Sequence, residues 1–370
     1  MRIGLDLRML GGGSGISRYI SEVSRQVLEA DKANEYVLFF NVLDATTRAE
    51  YSRFGHKMVE TSIRHYSMAE QLAYVRILNA ERLDLVHFPH FNVPIRYRGR
   101  FVVTIHDLTH TKFPGKKLSH VFHRMAYRAV LNNAVRRATG IIAVSQSTKN
   151  EVIEHFGVPA DKIQVIYEGT SGACSVMDRD KAMAQAKERF GLSKPFLLYV
   201  GVWRRYKNLP ALASVFSRLV DDGLDIELVL AGEPDASYPE IKDQVMAGRH
   251  KDRIRALGRV SDEDLNTLYN SCRMFVLPSK AEGFGLTALE AASCGVAIAA
   301  SDIPTLREVL GQGAEFFDPE NEDNMYDVLS GLVSSEQRLE ELANAALARS
   351  KHFSWQAAGQ ETIKFYESTN

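Results

Sequence analysis

Two glutamates, Glu282 and Glu290, stand eight residues apart in the stretch Pro278–Gly295, PSKAEGFGLTALEAASCG. The stretch lies between two short apolar runs, Met274–Leu277 (MFVL) and Val296–Ala300 (VAIAA), each suited to a buried strand of a parallel sheet. Gly283 and Gly285 make a turn, and an Ala-, Leu- and Glu-rich helix follows, so the whole reads as a strand–loop–helix–strand crossover. The loop therefore falls at the carboxyl end of a strand, where open α/β sheets bind ligands. Its glycines admit positive φ and a close backbone approach, and the N–H groups opening the helix favour anionic or hydroxyl-rich groups. With one glutamate before the helix and the other about two turns along it, the carboxylates are separated by about 12 Å at ~1.5 Å per residue. That is too far for one metal or one shared proton, but it suits the two ends of an extended, hydroxylated ligand. Alone, such a pair is better explained by a solvated helix start stabilised by the macrodipole.

A second constellation follows the apolar run Phe196–Val200 (FLLYV): Gly201-Val-Trp-Arg-Arg-Tyr-Lys-Asn. Arg204 and Lys207 can converge on one anionic group, a diphosphate being the natural candidate, with Asn208 and Pro210 starting the helix behind them. A surface basic cluster is the alternative. Near the amino end, Ile3–Leu7 reads as a strand, Leu10–Ser17 (LGGGSGIS) as a glycine-rich loop, and the chain to Leu28 as a helix with Tyr19, Ile20, Val23 and Val27 on one face. This arrangement can bring backbone N–H groups to a phosphate, or be a plain flexible turn. It has neither GxGxxG spacing nor a Walker lysine. His106 ends another strand, Phe101–Ile105, where it can face a ligand or satisfy a structural hydrogen bond.

The string PS-x-x-EGFG-x-x-x-LEA-x-x-x-G resembles the donor-binding signature of the family 4 glycosyltransferases, which have the GT-B fold and retain anomeric configuration. The resemblance covers most of residues 1–355 and is strongest over 196–308. It implies an α/β architecture of two Rossmann-like parallel-sheet domains facing a cleft, and transfer of a hexose from a nucleotide-diphosphate donor to a hydroxyl acceptor. Gly12, Gly13 and Gly15 match the family's glycine loop beside the donor phosphates, and His106 matches a ligand-contacting histidine. Arg204 and Lys207 would neutralise the leaving diphosphate. Val202 stands where many members carry an arginine, so Arg204 or Arg205 must substitute, and Arg204 is preferred. Glu282, with Phe284, Gly285 and Leu286, would hold the sugar, Glu290 the ribose, and Gly258, Arg259 and Val260 the base. No metal or other cofactor is implied. Resemblance to bacterial polysaccharide mannosyltransferases makes GDP-mannose the leading donor and UDP-glucose the next. The rival readings are a GT-B sugar-nucleotide epimerase and a non-catalytic nucleotide-sugar or glycan-binding protein.

The elements that must position these residues fit two cores in a chain of 370 residues. We expect an acceptor-side domain over 1–172, a donor domain over 173–352, and a terminal helix over 353–370 that packs back on the first domain. Residues 1–170 carry 23 Lys and Arg against 16 Asp and Glu, whereas residues 171–370 carry 22 against 30. This asymmetry either gives the two domains different partners or reflects drift between two surfaces. The segment Lys116–Arg137 is basic throughout, with Val121, Phe122, Met125, Tyr127 and Val130 interleaved. It is expected to be a helix that either covers the sheet with a solvated basic face or lies on an anionic membrane surface beside a lipid-linked acceptor. Thr148–Glu151 reads as a capping box, Ser261 as a helix cap, and residues 331–350 as one helix. Three cysteines without a CxxC pair, no leader and no long apolar run point to a cytoplasmic protein, peripheral at most to the inner membrane face. The expected partners are a nucleotide sugar and a glycan or lipid-linked glycan, with no nucleic acid.

Overall fold

The computed structural model describes all residues except 12–14, 114, 116–120, 171, 173 and 370. The chain divides into two units, Met1–Gly169 together with Ser354–Asn370, and Thr170–Phe353. In the first, seven strands form one sheet: β1 (Arg2–Asp6), β2 (Glu35–Phe40), β3 (Lys57–Glu60), β4 (Leu85–Phe88), β5 (Phe101–Ile105), β6 (Gly140–Ala143) and β7 (Ile163–Val165). The order is β3-β2-β1-β4-β5-β6-β7, and every pairing is parallel. Continuous apolar runs are what such a sheet requires, because helices cover both faces; Tyr36–Phe40 and Phe101–Ile105 are buried at every position.

The helix Gly15–Ala30 buries Tyr19, Ile20, Val23 and Val27, the face its 3.6-residue period defines. The terminal helix Trp355–Ser368 opens on Ser354, whose hydroxyl accepts the Ala357 N–H at 3.1 Å. It packs against the Gly15–Ala30 helix so closely that a Cβ on Gly359 would lie 2.5 Å from the Gln26 Cβ. A buried hydrogen-bonded chain ties the same elements together. The His87 ring meets Tyr366 Oη at 2.6 Å and Thr104 Oγ1 at 2.9 Å, and Thr104 in turn meets Tyr19 Oη at 3.0 Å. Each of these polar groups is shielded from water, so the chain satisfies donors and acceptors that would otherwise cost about 1–3 kcal/mol apiece.

The second unit holds β8 (Phe196–Val200), β9 (Glu227–Ala231), β10 (Ile254–Gly258), β11 (Met274–Leu277), β12 (Ile298–Ser301) and β13 (Glu315–Phe317). Their order is β10-β9-β8-β11-β12-β13, again all parallel. Both sheets thus reverse their order of growth once, between β1 and β4 and between β8 and β11. At such a point the flanking loops leave in opposite directions and open a crevice at the carboxyl ends of the two strands.

Three local readings change. The helix after β6 begins at Gln146, not at Thr148, because Ser145 emerges from the strand in extended conformation and its hydroxyl takes the Thr148 N–H at 3.0 Å. Residues 331–350 are not one helix: Glu322–Val333 ends at Ser334, and Ser335 caps a second, Glu336–Ser350, by accepting the Arg338 N–H. The helix after Gly285 starts at Leu286, so Glu290 lies little more than one turn into it rather than two. Ser261 caps the helix Asp262–Ser271 as read. The basic segment is helical over Val121–Arg137, with Leu131, Ala134 and Val135 buried in its second half. Among the described residues no helix is long and apolar enough to cross a membrane.

Candidate active site

The two constellations singled out in the second unit meet at its sheet reversal. Lys207 follows β8 in a one-turn 3₁₀ segment, Arg205–Lys207, and Glu282 follows β11. A backbone hydrogen bond from Lys280 N to Tyr206 O, 2.7 Å long, joins the two loops directly. Lys207 Nζ reaches Glu282 Oε1 at 2.6 Å, with side chains only 15% and 12% exposed. Burial alone would pull the ammonium below its ordinary pKa; the Glu282 carboxylate, helped by Tyr206 and Tyr199, instead holds it above. Lys207 is therefore a fixed positive charge throughout the neutral range.

Each loop is also anchored from behind. Asn208 adopts φ 57°, and its side-chain amide donates to Pro319 O at 2.9 Å, so the chain turns sharply into the helix Leu209–Asp221 directly after Lys207. Thr305 Oγ1 donates to the Glu282 carbonyl at 3.0 Å. Gly285 adopts φ 93°, which side chains rarely permit, and a Cβ there would also press on Leu306 at 2.8 Å. This turn opens the helix Leu286–Ser293, whose own ladder leaves the first N–H groups unused. Phe284 is buried edge-on against Phe353, ring centres 5.6 Å apart, leaving its backbone rather than its ring at the turn.

The other expected residues lie around this centre. Arg204 pairs with Asp235 at 3.0 Å, while Arg205 turns to Glu240 at 2.8 Å and is the more exposed of the two. Glu290 is 3% exposed and accepts a hydrogen bond from Tyr269 Oη at 3.1 Å. Gly258 ends β10 and Arg259 and Val260 follow it, two strands from β8 and thus about 10 Å across the sheet. Arg259 is exposed, with Glu233 at 3.8 Å. Asp235, Tyr269 and Tyr206 escaped the sequence reading, since only the fold places them beside charged residues that lie far away along the chain or unmarked beside them.

His106 and Gly15 belong to the first unit; Gly12 and Gly13 lie outside the described residues. His106 Nε2 faces the Pro89 carbonyl at 2.9 Å and its Nδ1 faces Glu168 Oε1 at 3.3 Å, with Tyr19 edge-on at 4.6 Å. A carbonyl can only accept, so Nε2 carries a proton. Glu168 is buried, and burial outweighs the opposing pull of His106, so its carboxyl sits above the usual range. Glu168 Oε1 and Nδ1 thus share one buried hydrogen bond. Glu168 was also missed: it is 62 residues from His106 and carries no local signal.

Two family models match the chain, "Glycosyltransferase Family 4" over residues 13–171 and "Glycosyl transferases group 1" over residues 180–349. The chain is 29% identical to the O-antigen chain mannosyltransferase B of Escherichia coli over 96% of both proteins. It is 31% identical to the serotype-specific mannosyltransferase WbdA of Escherichia coli over 87% of this chain, spanning 40% of that protein's length. The fold matches Anabaena Alr3699/HepE, solved in complex with UDP and glucose, with TM-score 0.80 at 17% identity over 100% of both chains. Parallel sheets of seven and six strands give the chain the two-domain GT-B fold. The chain belongs to the family 4 glycosyltransferases.

The His106–Glu168 geometry makes a prediction about stability. Glu168→Gln should unfold within about 1 kcal/mol of wild type at neutral pH, because its amide can donate to Nδ1 and keep the contact. Glu168→Ala, leaving Nδ1 unpaired in a buried site, should lose about 1–3 kcal/mol. A carboxyl raised in the folded state stabilises at low pH, and that contribution disappears as pH climbs through the raised value. The Gln variant should lack this decline in a series of melting temperatures from acid to mildly alkaline pH. Equal damage from Gln and Ala would show that the contact needs the carboxylate charge, which the amide lacks.

Proposed function

We propose that the chain is a retaining hexosyltransferase that moves mannose from GDP-mannose to a hydroxyl of a growing polysaccharide or lipid-linked glycan. The observation that carries the reading is the Lys207–Glu282 pair at the β8/β11 reversal, in a chain whose relatives over most of its length include an O-antigen chain mannosyltransferase and a serotype-specific mannosyltransferase. In the reaction the C1–O bond to the diphosphate breaks, a C1–O bond to the acceptor forms on the same face, and the acceptor's proton passes to the departing diphosphate. The demanding part is charge: negative on the leaving group and positive on the sugar. Lys207 and Arg204 supply the countercharge to the diphosphate. Glu282, displaced from Lys207 as the diphosphate arrives, turns to the sugar hydroxyls with the backbone of Phe284–Leu286. Glu290 takes the ribose hydroxyls, and the end of β10 at Gly258–Val260 borders the base. His106, whose two ring nitrogens are both engaged inside the first unit, presents its C–H edge rather than a free nitrogen to a ligand. No resident cofactor is required by these roles.

The distinguishing experiment incubates the protein with GDP-mannose or UDP-glucose, first alone and then with a mannose-terminated glycan. Transfer with GDP-mannose, with the new linkage in the donor's anomeric configuration, is the expected result; interconversion of the donor alone would mean an epimerase. Lys207→Ala, assayed below its melting temperature, should lose most of kcat with a smaller change in KM, because its charge matters most as the bond breaks. Glu290→Ala should weaken GDP binding about ten- to a hundredfold, the worth of hydrogen bonds to a charged group. Normal turnover in the first variant, or normal GDP affinity in the second, contradicts the assigned roles.

We also infer peripheral contact with the inner face of the cell membrane through the helix Val121–Arg137. In its first two turns Tyr127 packs edge-on against Phe91, while Phe122 is exposed at 85% and Met125 at 62%, beside the exposed Arg124 and Arg128. Lys116 and Lys117, counted in the same basic stretch, lie outside the described residues. Exposed apolar groups among cations suit an anionic bilayer surface, where each Lys or Arg contributes about 1 kcal/mol. The wild-type protein should sediment with anionic vesicles at low salt and be released by raised salt. Phe122→Ser with Arg124→Gln and Arg128→Gln should abolish sedimentation and preserve GDP binding. Failure of the wild type to sediment would assign the helix to solvent alone.

A further inference from the structure

Glu290 projects from a short helix, Leu286–Ser293, and a glutamate side chain turns about three bonds unless something holds it. We propose that Tyr269 is a positioning residue for Glu290: its hydroxyl holds the carboxylate in the orientation that receives two ribose hydroxyls, and so makes the site select nucleoside diphosphates built on ribose over those built on deoxyribose. The inference rests on the ribose role of Glu290.

The contact is direct and dry. Tyr269 Oη donates to Glu290 Oε2 at 3.1 Å, with the tyrosine fully buried and the glutamate nearly so. Burial, and then the Glu290 carboxylate, keep the phenol well above its ordinary pKa, so the hydroxyl is a donor at neutral pH. A carboxylate offers about four acceptor directions, and this bond takes one of them. Its effect is to restrict how the group turns about its stem.

The tyrosine is held as firmly as the glutamate it holds. Its helix, Asp262–Ser271, also carries Asn266, whose Oδ1 accepts from Cys294 Sγ at 3.3 Å, and Cys294 directly follows the Glu290 helix. Two rungs therefore join the two helices, Tyr269–Glu290 and Asn266–Cys294, about one turn apart on each. Asn266 and Asn270 also grip the backbone that enters this unit. The Ser175 N–H donates to Asn266 Oδ1 at 3.0 Å, Asn270 Nδ2 donates to Ser175 O at 2.9 Å, and the Met177 N–H donates to Asn270 Oδ1 at 2.7 Å. Phe275 of β11 meets the Tyr269 ring edge-on, centroids 5.7 Å apart. The same strand leads into the loop of Glu282. One strand thus sets both the tyrosine that aims Glu290 and the turn that presents Glu282.

Selection follows from this order. A buried tyrosine hydroxyl needs an acceptor, and a backbone carbonyl would satisfy it. Here the acceptor is the carboxylate assigned to the ligand. A group already oriented in the free protein does not have to be ordered when the nucleotide arrives, which favours binding. A nucleotide without ribose hydroxyls gains nothing from that orientation and leaves a buried acceptor facing no donor.

The test is isothermal titration of the full chain with GDP and with 2′,3′-dideoxy-GDP, which has the same base and diphosphate. Wild type should bind GDP about tenfold or more tighter than the dideoxy nucleotide. Tyr269→Phe, which keeps the ring and its packing, should weaken GDP about three- to tenfold and leave the dideoxy nucleotide within about twofold of wild type. Added to Glu290→Ala, it should cause no further loss, because its effect passes through the missing carboxylate. Both nucleotides meet the same folded sample, so a merely structural tyrosine would weaken them equally. That result, or a GDP affinity unmoved by Tyr269→Phe, would overturn the proposal. The ribose reading fails with a different pattern: wild type binding both nucleotides alike, which would overturn the positioning role with it.

Discussion

The bond between Lys207 and Glu282 is the constraint on which the second unit's site depends. Two oppositely charged side chains, each about seven-eighths removed from water, persist there because each satisfies the other. Such a pair adds little stability over well-packed apolar residues, yet losing one partner strands the other at a cost of about 3 kcal/mol or more. The architecture provides for it twice. The β8/β11 reversal brings two loops from opposite sides to one crevice, and the Lys280–Tyr206 backbone bond sets their spacing. Asn208 at positive φ and the Thr305 hydroxyl then fix each loop from behind. In the proposed reaction an incoming diphosphate takes the place of the Glu282 carboxylate at Lys207.

The first unit repeats the theme with a different outcome. At its own reversal the buried cation, Arg8, has two carboxylates and an aromatic ring around it, so its charge is already spent on the protein. The terminal helix belongs to the same device, for Tyr366 closes the hydrogen-bonded chain through His87 and Thr104 to Tyr19, the residue packed edge-on against His106.

Much of this was legible in the residues, for identifiable reasons. Apolar runs such as Tyr36–Phe40 and Phe196–Val200 suit buried parallel strands, and Gly201 directly after the second marks a carboxyl end where ligands bind. Glu282 and Lys207 were legible because each follows such a run within a few residues. Their pairing was not: it spans 75 residues and depends on strand order, which no local pattern encodes. The same limit hid Glu168 from His106, Asp235 from Arg204 and Glu70 from Arg8. Cap positions failed for a different reason. At Ser145 and Ser335 several hydroxyl residues compete, and the backbone leaving the previous element decides which of them accepts first. The second turn assigned to Glu290 was an error of helix start, since the Gly285 turn delays the helix to Leu286.

The central claim is that Lys207 exchanges Glu282 for the donor diphosphate. A double-mutant cycle on unfolding free energy, built from Lys207→Met, Glu282→Gln and the double variant, measures their coupling with and without saturating GDP. The account predicts a coupling of about 1.5–3 kcal/mol without nucleotide, in the range of hydrogen bonds between charged groups, and a clear fall when GDP is bound. A coupling that GDP leaves unchanged would mean that the pair stays closed and that the diphosphate is held elsewhere.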